Sequence, residues 1–246
     1  MQDLRAAKTL FRQAQEMGLS PKWLTDYGFF SIKVKEKTGY IFYSTTFLNT
    51  QLASYLAKNK HIARVILEEN GLPSIPYSVA ETEKELKKFI EKQKIIIAKP
   101  TLGEHSRDIH LIKSVSDAKG LKFENYIFEK FIKGSEIRYL VLWGKVISVH
   151  KKNYKGPINN PDRVKRISLN KRFWDKKLMK IATLAAKSLY LNFAAVDFLI
   201  DNRGKAYILE VNASPGMYLF LSPSRGPKIN LAKIILEETL KVLAKN

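Results

Sequence analysis

Two acidic residues lie inside two of the most apolar strand-like segments of the chain, and this feature most restricts how it can fold. Asp197 interrupts the run from Ala194 to Ile200, and Glu210 interrupts the run that ends at Val211. An acid within an apolar strand is costly unless a partner uses its charge. The turn at residues 201–204 predicts an antiparallel hairpin that places these two carboxylates side by side.

Asn212 follows Glu210 by two positions, so both side chains should lie on one face of the second strand. Carboxylate and amide oxygens suit Mg²⁺, which takes its remaining ligands from water and phosphate. The alternative is that Asp197 and Glu210 are edge residues directed at solvent. The apolar flanks favour a metal site and, through it, a nucleotide.

Length and composition indicate a globular protein of one large domain or two closely packed lobes. The chain has 246 residues, 45% of them hydrophobic, and no cysteine. The absence of cysteine suits a reducing compartment, and we expect a cytoplasmic protein. No leader-like segment opens the sequence, and the most apolar stretch, residues 181–200, carries polar interruptions, so no membrane association is expected.

The chain is strongly basic, with a net charge of +20, which favours an anionic partner. Half of the excess lies in the basic stretch 145–180, where Asp162 and Asp175 are the only acids. The same pattern is also typical of a solvated lysine-rich surface. Because the only aromatic residues of the stretch are Tyr154, Phe173 and Trp174, an acidic substrate is favoured over nucleic acid there.

Hydrophobic periodicity and turn residues predict a mixture of helices and strands. A loop is expected over residues 153–170, which contain two prolines and a glycine. Helices are predicted at 3–17, 47–70, 173–189 and 230–244, and strands at 29–34, 40–43, 94–99, 109–112, 126–132, 137–143, 146–150, 194–200 and 205–211.

The segment AVDFLIDNRGKAYILEVNASPG resembles the metal-binding strand pair of the ATP-grasp carboxylate–amine ligases, and the order of the other segments is similar from about residue 59 to residue 240. The resemblance is closest to the ATP-grasp module of cyanophycin synthetase and bifunctional glutathione synthetases, followed by the ribosomal-protein glutamate ligases. It implies an α+β, two-lobed ATP-grasp fold with a shortened N-terminal segment. The expected divisions are a lead-in at 1–58, a small lobe at 59–130 and a large lobe at 131–246.

The resemblance also implies residue roles in the small lobe, with ATP held between the lobes. NKHIARVILEENGLPSIP carries Lys60, which is expected to reach the nucleotide phosphates. IIIAKP carries Lys99, expected at the α-phosphate and the adenine side with a catalytic role. YIFEKFIKG resembles the hinge whose main chain, up to Phe131, binds the adenine edge, while Glu129 or Glu136 contacts the purine or ribose.

In the large lobe, EIRYLVLWGKVI carries Arg138, which is similar to the arginine that holds phosphate or the acyl intermediate. Asp197, Glu210 and Asn212 match the magnesium ligands of the family. The cofactors implied are therefore ATP and Mg²⁺. Cations around the triphosphate would offset its charge while the γ-phosphoryl group passes to a carboxylate.

The phosphate-covering loop departs from the family pattern. Ser106 and Asp108 stand where glycines are usual, while His105 and Arg107 remain as phosphate donors. A non-glycine residue restricts positive φ, and an acid near phosphate repels it. These changes bear on turnover more than on nucleotide binding.

The expected activity is ATP-dependent amide formation through an acyl phosphate, on an acidic amino acid, peptide or protein tail attracted by the basic stretch. One alternative is a catalytically weak ATP-grasp module that binds RNA or another polyanion. Another is an ATP-grasp kinase.

Overall fold

The computed structural model describes residues 4–103, 108–154, 164–216 and 218–245. Three antiparallel sheets and the helices packed on them form this part of the chain. The strands are β1 (Lys22–Trp23), β2 (Phe29–Val34), β3 (Lys37–Phe42), β4 (Tyr77–Ser78), β5 (Ile96–Pro100), β6 (His110–Ile112), β7 (Tyr126–Lys130), β8 (Gly134–Leu142), β9 (Lys145–Tyr154), β10 (Val164–Ser168), β11 (Phe193–Asp201) and β12 (Ala206–Asn212). The helices are α1 (Arg5–Glu16), α2 (Gln51–Lys58), α3 (Lys60–Glu69), α4 (Glu83–Gln93), α5 (Lys176–Ser188), α6 (Tyr218–Leu221) and α7 (Leu231–Lys245).

The largest sheet has the order β10-β9-β8-β11-β12 and forms the centre of the large lobe. One of its faces carries Tyr139, Val196 and Phe198, which pack against α5 and against α2 and α3 in one core. The opposite face carries Leu140 and Ala195, which pack in a second core with α1, α7 and the N-terminal sheet. The second core covers only part of its face, and the rest is polar.

The small lobe is a four-stranded sheet of order β4-β7-β5-β6 covered by α4. Its core contains Leu86 and Phe89 of the helix and Ile96, Ala98 and Phe128 of the strands. Helix α4 begins with a capping box between Thr82 and Glu85, which satisfies two backbone amides at its N-terminus. Helix α3 falls within the segment 59–130 that was expected to form the small lobe, but it packs with α5 in the core of the large lobe.

The first residues form the three-stranded sheet β1-β2-β3 and α1. Phe30, Ile32 and Ile41 point inward and are fully buried. They pack against α1 and α7, which joins this segment to the large lobe. None of the helices in the described ranges combines the length and apolar character that crossing a membrane requires.

Two predicted elements were wrong. The helix expected over 47–70 is two helices, because Asn59 leaves helical geometry (ψ 105°) and its side chain accepts a hydrogen bond from Ile62 N at 3.1 Å as the N-cap of α3. The loop expected over 153–170 contains β10, which pairs with β9 from Val164 to Ser168. Pairing with an open sheet edge stabilises this strand despite its weak apolar alternation.

Candidate active site between the lobes

A row of polar side chains crosses the large-lobe sheet at one level. The cross-strand register pairs Ser168 with His150, His150 with Arg138, Arg138 with Asp197, and Asp197 with Glu210. Directly opposed residues lie on the same face, so this row continues the face that carries Leu140 and Ala195. The predicted pairing of the two acids is therefore present in the structure.

Asp197 is fully buried and accepts three hydrogen bonds from cations. Arg138 donates from Nε to Oδ1 and from Nη2 to Oδ2, both at 2.6 Å, and Lys152 Nζ donates to Oδ2 at 2.6 Å. Burial opposes ionisation of this carboxyl, but the two cations outweigh burial and hold its pKa well below the ordinary value. Asp197 thus fixes the orientation of the Arg138 guanidinium, whose Nε and Nη2 are both bound to it.

Glu210 differs from Asp197 in being open to the cleft, with 45% of its side chain exposed. Its Oε1 lies 3.6 Å from Arg138 Nη2. Partial desolvation and the adjacent Asp197 carboxylate raise the pKa of Glu210. A cation beside Glu210 would relieve this repulsion.

The three predicted metal ligands fit Mg²⁺ unequally. Glu210 and the partly exposed Asn212 supply hard oxygen donors on one face of β12, where Asn212 Oδ1 also accepts a hydrogen bond from Ser214 N at 2.9 Å. Asp197 would have to release a cation in order to bind a metal ion. Within the described ranges, no three His, Cys, Asp or Glu side chains are grouped so as to hold a metal. Glu210 is accordingly the best-placed ligand.

A buried ion-pair triad links α3 to the small-lobe sheet. Glu129 accepts from Arg64 Nε at 2.8 Å and from Lys99 Nζ at 2.5 Å. Burial would raise the pKa of Glu129, but the two cations lower it to about 2. Lys99 therefore lies beside the cleft in a fixed position, and Glu129, expected at the purine or ribose, has both oxygens engaged.

Arg64 is a site residue that the sequence analysis did not identify. It is 4% exposed, and its Nη1 and Nη2 donate to the carbonyls of Ile208 and Leu209 at 2.9 and 2.7 Å. The register of β11 and β12 shifts between the Asp197–Glu210 and Phe198–Ile208 pairs, so Leu209 lies in a β-bulge. Arg64 thus connects the Glu129 carboxylate of the small lobe to the irregular part of the strand that carries Glu210.

Lys60 lies at the start of α3, next to Gly103, where the predicted phosphate-covering loop begins. Its Nζ donates to Gly103 O at 2.9 Å, and its main-chain N donates to Thr101 O at 2.9 Å. Desolvation lowers the pKa of Lys60, and the nearby Lys99 lowers it further, while Glu210 opposes the change. The structure thus brings Lys60, Lys99 and Glu210 into one electrostatic environment.

Asp108 stands where the family pattern has a glycine, and both its backbone and its side chain are constrained. It occupies the left-handed region at φ 57°. Its carboxylate accepts from Tyr126 Oη and lies 2.6 Å from His110 Nε2. The hydrogen bond with Asp108 raises the pKa of Tyr126 to about 12. His105, Ser106 and Arg107 lie outside the described residues.

Main-chain hydrogen bonds hold the predicted hinge to the small-lobe sheet. Phe131 N donates to Ile95 O at 3.0 Å, and Lys130 N donates to Pro76 O at 2.8 Å. Glu136 lies on the same face as Arg138 and accepts from Lys152 Nζ at 2.9 Å. The adenine and ribose contacts assigned to this segment stay predictions.

The basic stretch 145–180 does not form one surface. Lys152 faces the site and forms buried ion pairs with Asp197 and Glu136. Arg166 lies directly opposite Lys152 on the neighbouring strand β10 and therefore on the same face of the sheet. Lys151 alternates to the opposite face of the sheet. Residues 155–163 of this stretch lie outside the described ranges.

His150 is a buried member of the polar row, 1% exposed, with its ring 4.7 Å from that of Phe220. Neither ring nitrogen has a hydrogen-bond partner among the described residues. Desolvation, followed by the nearby Arg138 and Arg166, lowers the pKa of His150 to about 4. The imidazole is therefore neutral at physiological pH.

Stability should fall on acidification because of His150. An unfolded histidine gains a proton near pH 6.5, whereas the folded one does so only near pH 4, so the folded state loses relative stability across this window. The loss is on the order of 2–3 kcal/mol by pH 4.5. Urea unfolding at pH 7 and 4.5 should show this loss in the wild type but not in His150→Leu. Parallel losses in both proteins would contradict the assignment.

The fold and the polar row together define an ATP-grasp protein. The chain belongs to the RimK-like ATP-grasp domain family, which it matches over residues 57–239. The resemblance inferred from the sequence and the predicted two-lobed α+β fold are confirmed.

Curated relatives include two classes of ligase. A D-alanine–D-alanine ligase of Pelotomaculum thermopropionicum is 26% identical over 220 residues, covering 75% of this chain and 67% of the relative. The tetrahydromethanopterin:alpha-L-glutamate ligase of Methanocaldococcus jannaschii is 25% identical over 203 residues, with the same coverages. The chain is similar to both over the ATP-grasp region.

Solved structures show the same fold. A bifunctional glutathione synthetase from Pasteurella multocida superposes with a TM-score of 0.73 at 12% identity, covering 97% of this chain and 43% of that one. The ATP-grasp ligase PsnB, solved with a minimal precursor, Mg and ADP, gives 0.64 at 17% identity, covering 79% and 61%. The chain therefore spans less than two thirds of either solved protein.

Proposed function

We propose that the protein is an ATP-dependent carboxylate–amine ligase that releases ADP. The observation that carries this proposal is the set of charged groups from Lys60 of α3 and Lys99 of the small-lobe sheet to Arg138, Asp197 and Glu210 of the large-lobe sheet. Such a set contains no serine, threonine or cysteine nucleophile and is suited to positioning and charge stabilisation, which are the main demands of phosphoryl transfer. The ligase names of the relatives support the same class.

The reaction would proceed in two steps at the cleft. A substrate carboxylate oxygen attacks the γ-phosphorus as its bond to the β,γ-bridging oxygen breaks, giving an acyl phosphate and ADP. An amine then attacks the acyl carbon, and inorganic phosphate leaves as the amide forms. Lys60 and Lys99 would offset the nucleotide charge, and Arg138, fixed by Asp197, would hold the transferred phosphoryl group.

Glu210 and Asn212 would hold Mg²⁺ at the large-lobe side of the triphosphate. When bound, the ion would neutralise phosphoryl oxygens and orient the nucleotide. The oxygen donors of β12 and the raised pKa of Glu210 fit this role. PsnB, which has this fold, was solved with Mg and ADP.

We further propose that the substrate is acidic. The net charge of +20 attracts anions, and Arg166 lies on the site face next to Lys152, whereas Lys151 lies on the opposite face. An acceptor rich in carboxylates would therefore meet Arg166. Lys151 serves as a matched control because it belongs to the same basic stretch but faces away from the site.

ADP release should be screened over amino acids and acidic peptides, with the products weighed. We expect an acidic substrate to give an amide and one ADP per bond. Arg166→Gln should raise the KM for this substrate about tenfold, with less effect on the ATP KM, and Lys151→Gln should leave both near wild type. A phosphorylated product would identify a kinase. Absence of ADP release with every candidate would reject the ligase proposal.

A further inference from the structure

The outer face of the N-terminal sheet carries a cluster of aromatic rings. The inner face of β2 and β3 is buried, and the alternate residues Phe29, Tyr40 and Phe42 lie on the other side. Tyr27 joins them from the segment before β2. Tyr27, Tyr40 and Phe42 are 59%, 51% and 42% exposed. We call this group the aromatic face.

The rings of the aromatic face contact one another rather than standing singly. Phe29 stacks on Tyr40 with centroids 5.7 Å apart and an interplanar angle of 25°. Phe42 lies 6.2 Å from both Phe29 and Tyr27, in edge-on contacts. Single exposed apolar residues are common on protein surfaces, but a contiguous ring cluster indicates a binding surface.

Positive charge borders these rings. Lys22 is paired with Ser31 on the outer side of β1 and β2, and Lys33 alternates with the buried Ile32, so both lysines share the aromatic face. Lys35 and Lys37 lie at the hairpin turn, with Glu36 as the acid between them. The strands of this face carry no acidic residue: β1, β2 and β3 contain none.

Rings that offer stacking surfaces and lysines that neutralise phosphates are the two requirements of single-strand nucleic-acid recognition on a sheet. We propose that the aromatic face binds single-stranded nucleic acid, with bases stacked on Tyr40, Phe42 and Tyr27 and phosphates near Lys22 and Lys33. An acidic peptide would use the lysines but not the stacked rings. The proposal depends on no step of the ligase reaction, because none of these rings or lysines belongs to the charged set that runs from Lys60 to Glu210.

Pairing of the hairpin, rather than sequence proximity, assembles this face. Phe29 and Phe42 are directly opposed, and so are Ser31 and Tyr40. The rings and the lysines that border them therefore belong to the N-terminal segment and not to the basic stretch 145–180. The proposed nucleic-acid surface is therefore distinct from the basic stretch 145–180, where an acidic substrate is favoured.

The test measures binding of a fluorescein-labelled 15-nucleotide oligouridine to the full chain by anisotropy, without ATP. The double variant Tyr40→Ala/Phe42→Ala should weaken binding at least tenfold, and Tyr40→Phe should retain it, since the ring remains. Tyr190→Ala removes a ring that is 70% exposed elsewhere and should have no effect. Lys22→Gln/Lys33→Gln should weaken binding and reduce the dependence of affinity on salt.

Three results would overturn the proposal. The first is equal affinity of the wild type and the Tyr40→Ala/Phe42→Ala variant, or no binding by the wild type. The second is equal affinity for the oligouridine and for a duplex of the same length. The third is a wild-type dimer in sedimentation that becomes a monomer in the double variant, which would identify the face as a contact with a second copy. Circular dichroism of the variants, whose changed side chains are exposed, checks that the fold is retained.

Discussion

Changing Glu210 to Gln should lower ATP turnover on the order of 100-fold while leaving the fold intact. The substitution keeps the size of a side chain that is 45% exposed, so little packing is lost. It removes the charge that would bind Mg²⁺ and the repulsion with Asp197 that raises the pKa of Glu210. The free energy of unfolding should therefore be unchanged or slightly higher. ADP release and urea unfolding measure the two effects separately.

Glu237→Gln is the matched control for this prediction. Glu237 is an exposed acid on α7, paired only loosely with Lys233 at 4.0 Å, and its substitution should affect neither quantity. Higher Mg²⁺ concentrations should recover part of the activity of Glu210→Gln, because a weakened site is filled by mass action. Wild-type turnover in Glu210→Gln would contradict the proposed role of this residue as a metal ligand.

Asp197→Asn should instead destabilise the protein by about 3–5 kcal/mol. Asp197 is fully buried, and Arg138 and Lys152 would keep their charges after its own is lost. An amide group also presents N–H donors to these two donors, so at least one hydrogen bond becomes unfavourable. The urea midpoint should fall without a large change in the denaturant dependence.

Asp201→Asn, at the end of the same strand, tests whether any Asp-to-Asn change on β11 has this effect. Asp201 accepts hydrogen bonds from Arg203 N and Lys205 N, which an amide oxygen can also accept, so the loss should stay within about 1 kcal/mol. Lys152→Met should recover part of the stability of Asp197→Asn, because one excess cation is removed. Equal stabilities of the two Asp variants would show that the buried pairs contribute little.

Much of the fold could be predicted because each signal was local. The turn at 201–204 determined the hairpin and the pairing of Asp197 with Glu210, as the register shows. The order of the ATP-grasp segments predicted the two lobes. The break between α2 and α3 was missed because apolar spacing continues through Asn59, whose capping hydrogen bond becomes apparent only in the structure.

The site was less predictable where function depends on tertiary contacts. Arg64 is one of 43 Lys and Arg residues, and its position in a predicted helix indicates an ordinary solvent-exposed charge. Only the folded chain shows it buried against Glu129 and β12. By contrast, strand alternation alone could have separated Lys151 from Lys152, because adjacent strand residues face opposite sides.

The three hydrogen bonds of Arg64 have a consequence for movement of the lobes. They attach the small-lobe carboxylate Glu129 to the main chain of β12 through one rigid guanidinium, at the bulge beside Glu210. Separating the lobes at this point would break the ion pair between Arg64 and Glu129 and leave two buried charges without partners. Opening of the cleft should thus be a rotation about a fixed pivot at Arg64. Nucleotide exchange would then widen the rim farthest from this pivot, while the base of the cleft keeps its dimensions throughout the catalytic cycle.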